Sequence, residues 1–285
     1  MKAGIIGLGA MGAPMARNLA RTGYLSGVWN RTYSRAEAAA RELSVTCAHD
    51  PAELARLVDI MFVCVSADTD VLEVMQAMQP GLNSDHVVID VSTVSSDTAR
   101  RAARMLAHSG AAFLDAPVSG GVEGARKGTL AMMVGGDETV LNRVRPLLEA
   151  ITGRIVHMGE VGAGQGAKAV NQVMAAGINQ AVTEALAFGQ AQGLDMKKLV
   201  DVISGGAAGN WFLEHRGLTM TQGLFAPGFK LALHHKDLKI CRQMMIGLGV
   251  HAELVDKTLK EYADLMEQGC GDEDISALYR LKKPQ

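Results

Sequence analysis

Gly7-Leu8-Gly9-Ala10-Met11-Gly12 is the stretch whose reading decides the fold. It follows the apolar run Ala3-Gly4-Ile5-Ile6 and opens a stretch of helical period, with Met11, Met15 and Leu19 on one face and Ala16 and Ala20 beside them. A glycine-rich turn between a first strand and a first helix is the G-x-G-x-x-G arrangement of a dinucleotide-binding βαβ unit. Gly7 permits the tight turn. Gly9 lets a pyrophosphate approach the backbone, and Gly12 lets the helix pack closely on the sheet. The N–H groups at the helix start then face the phosphates. Pro14 falls in the first turn, where a missing N–H costs nothing. The competing reading is a purely structural glycine turn; the strand before, the helix after and the position at residue 7 agree with dinucleotide binding.

The bulk properties narrow the rest. A chain of 285 residues suggests two domains. Its formal net charge of −2 offers no basic excess, which argues against nucleic acid and anionic membranes as partners. No run approaches a membrane span. A strand that begins at residue 3 leads to the expectation of a cytoplasmic chain without a leader. Cys47, Cys64, Cys241 and Cys270 are scattered, with no metal-ligand spacing, and read as reduced thiols.

A second apolar run, Leu25 to Trp29, ends in Asn30-Arg31-Thr32. An NAD-binding unit usually places an acid here, against the ribose 2′-hydroxyl. An arginine and a hydroxyl instead suit a 2′-phosphate. The same residues also fit a solvated turn with a helix cap at Thr32 or Ser34. NADP is therefore the expected cofactor, with NAD second. The runs Asp59–Val65 and His86–Val91 read as further buried strands, separated by helical segments. Such alternation implies a doubly wound parallel sheet that binds ligands at the carboxyl ends of its strands. That rim takes in Val65-Ser66 and Ser92-Thr93, although the latter pair also reads as capping. Ser95-Ser96-Asp97 suits the cap of the next helix.

Phe113-Leu114-Asp115-Ala116-Pro117-Val118-Ser119-Gly120-Gly121 is a strand running into a Gly-rich loop. Bare N–H groups in such a loop can hold a carboxylate. Leu130–Gly136 and Arg154–His157 read as the last strands. From Gly162 the strands stop. The stretch from about 164 to 192 is helical, with Lys168 and Glu184 its only charged residues. A lysine in so apolar a helix has a site role or snorkels to the surface, because desolvation disfavours its charge. The remainder reads as all-α. Trp211 and Phe212 either close a pocket or anchor a core. His234-His235, as helix neighbours, project about 100° apart and chelate poorly, so no metal is expected. The tail from Arg280 reads as polar and frayed.

With these residues in hand, the chain resembles the β-hydroxyacid dehydrogenase family (3-hydroxyisobutyrate dehydrogenase-like proteins) over nearly its whole length. Four blocks carry the resemblance: Gly4 to Gly12, Asp115-Ala116-Pro117-Val118-Ser119-Gly120-Gly121, Gly164-Gln165-Gly166-Ala167-Lys168, and Lys236-Asp237-Leu238. It implies an α/β N-terminal Rossmann domain over residues 1–162 and an all-α C-terminal domain over 163–285 that begins with a long interdomain helix. It also implies a homodimer or homotetramer and a small carboxylate substrate. Lys168 matches the catalytic lysine. Ser119, Gly120 and Gly121 match the loop that binds the substrate carboxylate, with Asn171, Gln172 and Trp211 as further substrate candidates. The cofactor candidates are Gly7, Leu8, Gly9, Ala10, Met11, Gly12, Asn30, Arg31, Thr32, Val65, Ser66, Thr93 and Lys236. Asp237 either holds its helix or orients Lys236.

The chain also departs from the family pattern. Val65-Ser66 stands where many members have Leu-Pro, and Asp70 where they have Asn. Four residues after the lysine, where many have Asn, comes Gln172. Asn30-Arg31-Thr32 looks like the NADP-using glyoxylate and succinic semialdehyde reductase branch, whereas Asn171-Gln172 looks more like tartronate semialdehyde reductases. The alternatives are an NAD-dependent 3-hydroxyisobutyrate, tartronate semialdehyde or serine dehydrogenase and, further off, an imine reductase or a non-catalytic scaffold. Imine reductases usually lack the lysine, and a scaffold would be marked by loss of the lysine or the glycines.

Overall fold

The computed structural model describes residues 1–283. Its first element, β1 (Ala3–Ile6), is buried at every position, as a strand covered on both faces must be. The glycine turn leads into α1 (Gly12–Arg21), whose Met15, Ala16 and Leu19 lie in the core. Each buried side chain as large as leucine or methionine contributes roughly 1.5–3 kcal/mol relative to exposure. The chain continues through β2 (Leu25–Trp29), α2 (Tyr33–Leu43), β3 (Thr46–Cys47), α3 (Pro51–Leu57), β4 (Ile60–Val63), α4 (Asp68–Met78), β5 (Val87–Asp90), α5 (Ser96–Leu106) and β6 (Ala112–Asp115). These six strands pair in the order β3-β2-β1-β4-β5-β6, all parallel. The order reverses between β1 and β4, and their carboxyl ends open the crevice where doubly wound sheets bind ligands.

Beyond β6 come β7 (Val118–Ser119), α6 (Gly121–Lys127), β8 (Leu130–Gly135), α7 (Glu138–Leu148) and β9 (Thr152–Gly159). β8 is antiparallel to both β6 and β7, with Asp115 opposite Gly135, Val118 opposite Met132 and Ser119 opposite Ala131. β7 therefore prolongs the direction of β6 past its carboxyl end. β9 closes the sheet, parallel to β8.

α8 (Ala163–Ala191) is a single helix of 29 residues. It is followed by α9 (Met196–Ser204), α10 (Trp211–Thr221), α11 (Leu231–Gly247) and α12 (Glu253–Glu267). The helical unit has its own core, in which Leu186, Leu231, Tyr262 and Leu278 are buried. The expected architecture, a Rossmann domain and then an all-α domain, is what the chain forms. The chain forms two compact units, residues 1–168 and 169–285. The start of α8 is tied to the sheet: Gly162 N–H, just before the helix, and Gln165 N–H, in its first turn, both donate to the Asp115 carboxylate.

The described part of the tail, residues 280–283, is held at Arg280 and Lys282, where a frayed end was expected; the last two residues lie outside the described ones. Arg280 makes two hydrogen bonds to Glu273, at 3.0 and 2.7 Å, and covers the ring of Phe225. Lys282 pairs with Glu261. Among the described residues, no helix is long and apolar enough to cross a membrane.

Candidate active site

The three motif glycines are constrained in different ways. Gly7 has φ +93°, and a Cβ there would lie 2.1 Å from the Cys64 carbonyl oxygen. A Cβ on Gly12 would lie 1.9 Å from the Gly7 oxygen. Those two are demanded by packing. Gly9 is exposed, and a Cβ there would meet nothing within 4 Å. Gly9 therefore leaves the bare first turn of α1 open to a group from outside the fold, and a pyrophosphate is such a group. The residues present therefore fit a dinucleotide. Leu8 is buried and offers the site only backbone, while Ala10 is exposed and Met11 half-buried beside it.

Gly7 and Gly9 line a cleft of about 300 Å³ together with Asn30, Arg31, Thr32 and Arg35 on one side and Val65, Ser66, Asp70 and Glu73 on the other. Asn30 turns inward, where its Oδ1 accepts Leu8 N–H at 3.0 Å and its Nδ2 donates to the Thr32 oxygen at 3.0 Å. It thus fixes the glycine loop to the end of β2. Thr32 is the N-cap residue of α2 without a side-chain cap bond, so its hydroxyl is not used to hold the helix. Arg31 is 79% exposed and pairs with Asp70, Nη1 to Oδ1, at 3.0 Å. Cys64 also lines the cleft. Burial, with a smaller effect of the Asp90 charge, pushes its thiol up to about 12, so it stays a neutral thiol rather than a nucleophile.

Further along the rim lie Ser92 and Thr93, for which the sequence also allowed a capping role. Ser95, not Ser92, caps α5, by accepting Thr98 N–H. Ser92 Oγ accepts Val65 N–H at 2.9 Å and so ties the exits of β4 and β5 together. That engages the Val65 N–H within the rim. Gln165 grips the backbone on both sides of Thr93: its Oε1 accepts Val94 N–H at 3.2 Å and its Nε2 donates to the Ser92 oxygen at 2.8 Å. Sequence reasoning gave Gln165 no role. Its only signal was its place in the block that ends at Lys168. Beneath this rim Asp90 is fully buried, and one of its oxygens, Oδ2, has no hydrogen-bond partner. Burial pushes its carboxyl up to about 7 against the hydrogen bonds from Ser92, with Asp115 and Asp68 adding to the rise.

Lys168 is 7% exposed, three residues after Gln165 on the stretch of α8 that Asp115 holds. A helix this close to the strands needs glycine, since a Cβ on Gly164 would lie 2.4 Å from the Met133 oxygen. The sheet unit thus carries the lysine, the Thr93 rim and the Ser119 loop. In that loop Gly120 (φ +130°) and Gly121 (φ +62°) adopt conformations open to glycine, which turns the chain from β7 into α6.

In the helical unit, Gln172 is buried, and its Nε2 donates to Asp237 Oδ2 at 2.6 Å. Asn171 Nδ2 donates to Gln172 Oε1 at 2.9 Å. Lys236 Nζ lies 2.8 Å from Asp237 Oδ1. Asp237 therefore holds both Gln172 and Lys236. Trp211 and Phe212 part company: Phe212 is buried in the core of its unit, whereas Trp211 is 58% exposed and stacks on His215 at 4.2 Å. His234 is buried, within 3.1 Å of the Tyr262 hydroxyl and 3.2 Å of the Gln172 oxygen. Among the described residues, no three His, Cys, Asp or Glu side chains are grouped to hold a metal ion.

Comparison with known proteins gives two consecutive matches. Residues 2–159 match the family described as the NAD binding domain of 6-phosphogluconate dehydrogenase. Residues 162–282 match that described as the NAD-binding of NADP-dependent 3-hydroxyisobutyrate dehydrogenase. The chain is 38% identical to 2-hydroxy-3-oxopropionate reductase of Escherichia coli, over 88% of this chain and 86% of that one. It is 34% identical to NAD-dependent L-serine dehydrogenase of Pseudomonas aeruginosa, over 98% and 97%. Among solved structures, that of Mycobacterium tuberculosis 3-hydroxyisobutyrate dehydrogenase with L-serine superimposes with a TM-score of 0.89 at 32% identity, covering 99% of both chains.

Proposed function

This chain belongs to the β-hydroxyacid dehydrogenase family, and we propose that it reduces a short carboxylate-bearing aldehyde or ketone with NADPH: glyoxylate, succinic semialdehyde or a similar semialdehyde. The observation that carries the reading is Lys168, a buried amine on a helix start locked to the carboxyl rim of the sheet. The nicotinamide cofactor supplies the hydride. The protein must meet the negative charge that grows on the substrate oxygen, and Lys168 Nζ does so by donating a proton; in the opposite direction it takes the proton back. Ser119 and the backbone of Gly120 and Gly121 hold the substrate carboxylate. Orientation of this kind supplies several kcal/mol of the barrier. Gln165 keeps the Thr93 segment in place, and Asp237 keeps Lys236 and Gln172 in place.

NADP is favoured over NAD because β2 is followed by Asn30-Arg31-Thr32 with no acid, and because Arg35 lines the same cleft. Arginine presents a fork of donors suited to phosphate. The second reading is an NAD-dependent dehydrogenase acting on serine or another small hydroxyacid, and the Asp70 carboxylate beside Arg31 is the observation in its favour.

The working form is a homodimer or homotetramer. Val170, Met174 and Phe188 are 64%, 63% and 67% exposed along one stripe of α8, an apolar surface of the kind that a second copy covers.

The test is purified protein with NADPH, then NADH, against glyoxylate and succinic semialdehyde at neutral pH, followed at 340 nm. The expected result is faster consumption of NADPH, with at least about a tenfold preference for it, the scale of one charge-assisted contact. Activity only with NADH, or only in oxidation of a hydroxyacid with NAD, would move the second reading first.

A further inference from the structure

We propose that Asp70 is a specificity-determining residue: it competes with the cofactor's 2′-phosphate for Arg31 and thereby holds down the preference for NADP over NAD. This rests on the NADP reading of the cleft given above. Four charged side chains line that cleft. Arg31 and Arg35 come from the end of β2 and the start of α2, Asp70 and Glu73 from the first turns of α4. One pair across it is closed, Arg31 Nη1 to Asp70 Oδ1 at 3.0 Å.

The two partners are unlike. Arg31 is 79% exposed and swings on a long stem, whereas Asp70 is 20% exposed and short. The arginine moves and the carboxylate stays. An exposed pair of this kind is worth little by itself, so a phosphate carrying close to two negative charges takes the guanidinium. It does so beside a carboxylate that does not withdraw, and like charges at that range oppose binding. A 2′-hydroxyl meets no such opposition, because it donates a hydrogen bond where a phosphate cannot. The acid that β2 lacks at its end is thus supplied by α4. One cleft carries both the phosphate-binding arginine and the acid that weakens its preference. Discrimination depends on the repulsive element as much as on the attractive one.

The experiment is isothermal titration of the whole enzyme with adenosine 2′,5′-bisphosphate and with adenosine 5′-monophosphate, at low and high salt, for wild type, Asp70→Asn and Arg31→Ala. Asp70→Asn is expected to tighten the bisphosphate about tenfold while the monophosphate changes less than about twofold, and the gain should shrink at high salt, because screening removes charge repulsion. Weaker bisphosphate binding by Asp70→Asn, or equal tightening of both ligands, overturns the proposal, since Asp70 would then be positioning Arg31 or merely supporting the fold. Arg31→Ala separates the role of Asp70 from the NADP reading of the cleft. If it weakens the bisphosphate while Asp70→Asn does nothing, only the role of Asp70 falls. If it leaves the bisphosphate untouched, the NADP reading falls and the role of Asp70 with it.

Discussion

Asp115 Oδ2 accepts the backbone N–H of Gln165 at 2.8 Å. Its other oxygen accepts Gly162 N–H at 2.7 Å. One carboxylate at the end of β6 therefore holds the helix start from which Lys168 projects. The same compact unit contains Asp115, Gln165 and Lys168. Asp115→Ala leaves two buried N–H groups without acceptors, at about 1–3 kcal/mol each. We expect chemical denaturation to show a loss of about 3 kcal/mol, with turnover falling more than cofactor binding. A variant as stable and as active as wild type would remove this anchor from the account.

Lys168→Ala removes the proton donor without touching the cofactor cleft. Cofactor binding is expected to persist, while turnover falls by about two to four orders of magnitude, the range of general acid–base catalysis. Fluorescence titration with the reduced cofactor and steady-state turnover measure the two separately. Turnover within a few-fold of wild type would exclude lysine acid–base catalysis.

Gly9 and Gly12 should respond in opposite ways to alanine. Gly12→Ala drives a Cβ to 1.9 Å from the Gly7 oxygen, so it should lower the melting temperature. Gly9→Ala meets no protein atom within 4 Å, so the fold should keep its stability and lose its affinity for dinucleotides. Melting curves with and without cofactor decide the matter. Equal destabilisation by both would mean that Gly9 is a structural glycine.

Asp90 predicts a pH signature. Its carboxyl titrates near 7 in the folded chain, against an ordinary 3.8. Between those values the folded state binds a proton that the unfolded chain does not. The contribution of Asp90 to stability is therefore highest below the lower value and declines as pH rises to about 7, at up to about 1.4 kcal/mol per pH unit. Asp90→Asn removes that decline. Its stability relative to wild type should increase from pH 5 to pH 7 and level off above. A difference in melting temperature that is flat across this window would show that the buried carboxyl is ionised throughout.

Much of this protein is legible in its sequence because its signals are local. The run Ala3 to Ile6, the turn at Gly7 and the apolar face of Met15 and Leu19 specify a strand, a turn and a helix within 20 residues. The alternation that follows specifies a parallel sheet, whose carboxyl rim then gathers Gly7, Val65, Ser92 and Thr93. Lys168 stood out because a charge in an apolar helix is costly. What the tertiary structure alone decided are pairings across long stretches of chain, with no period or motif to announce them. Gln165 grips residues 71 and 73 positions before it, and Asp237 receives a side chain 65 positions away. Asp70 faces Arg31 across 39 residues. Buried donors and acceptors must be paired. The sequence states that they are present, and only the packed sheet and helices determine which of them meet.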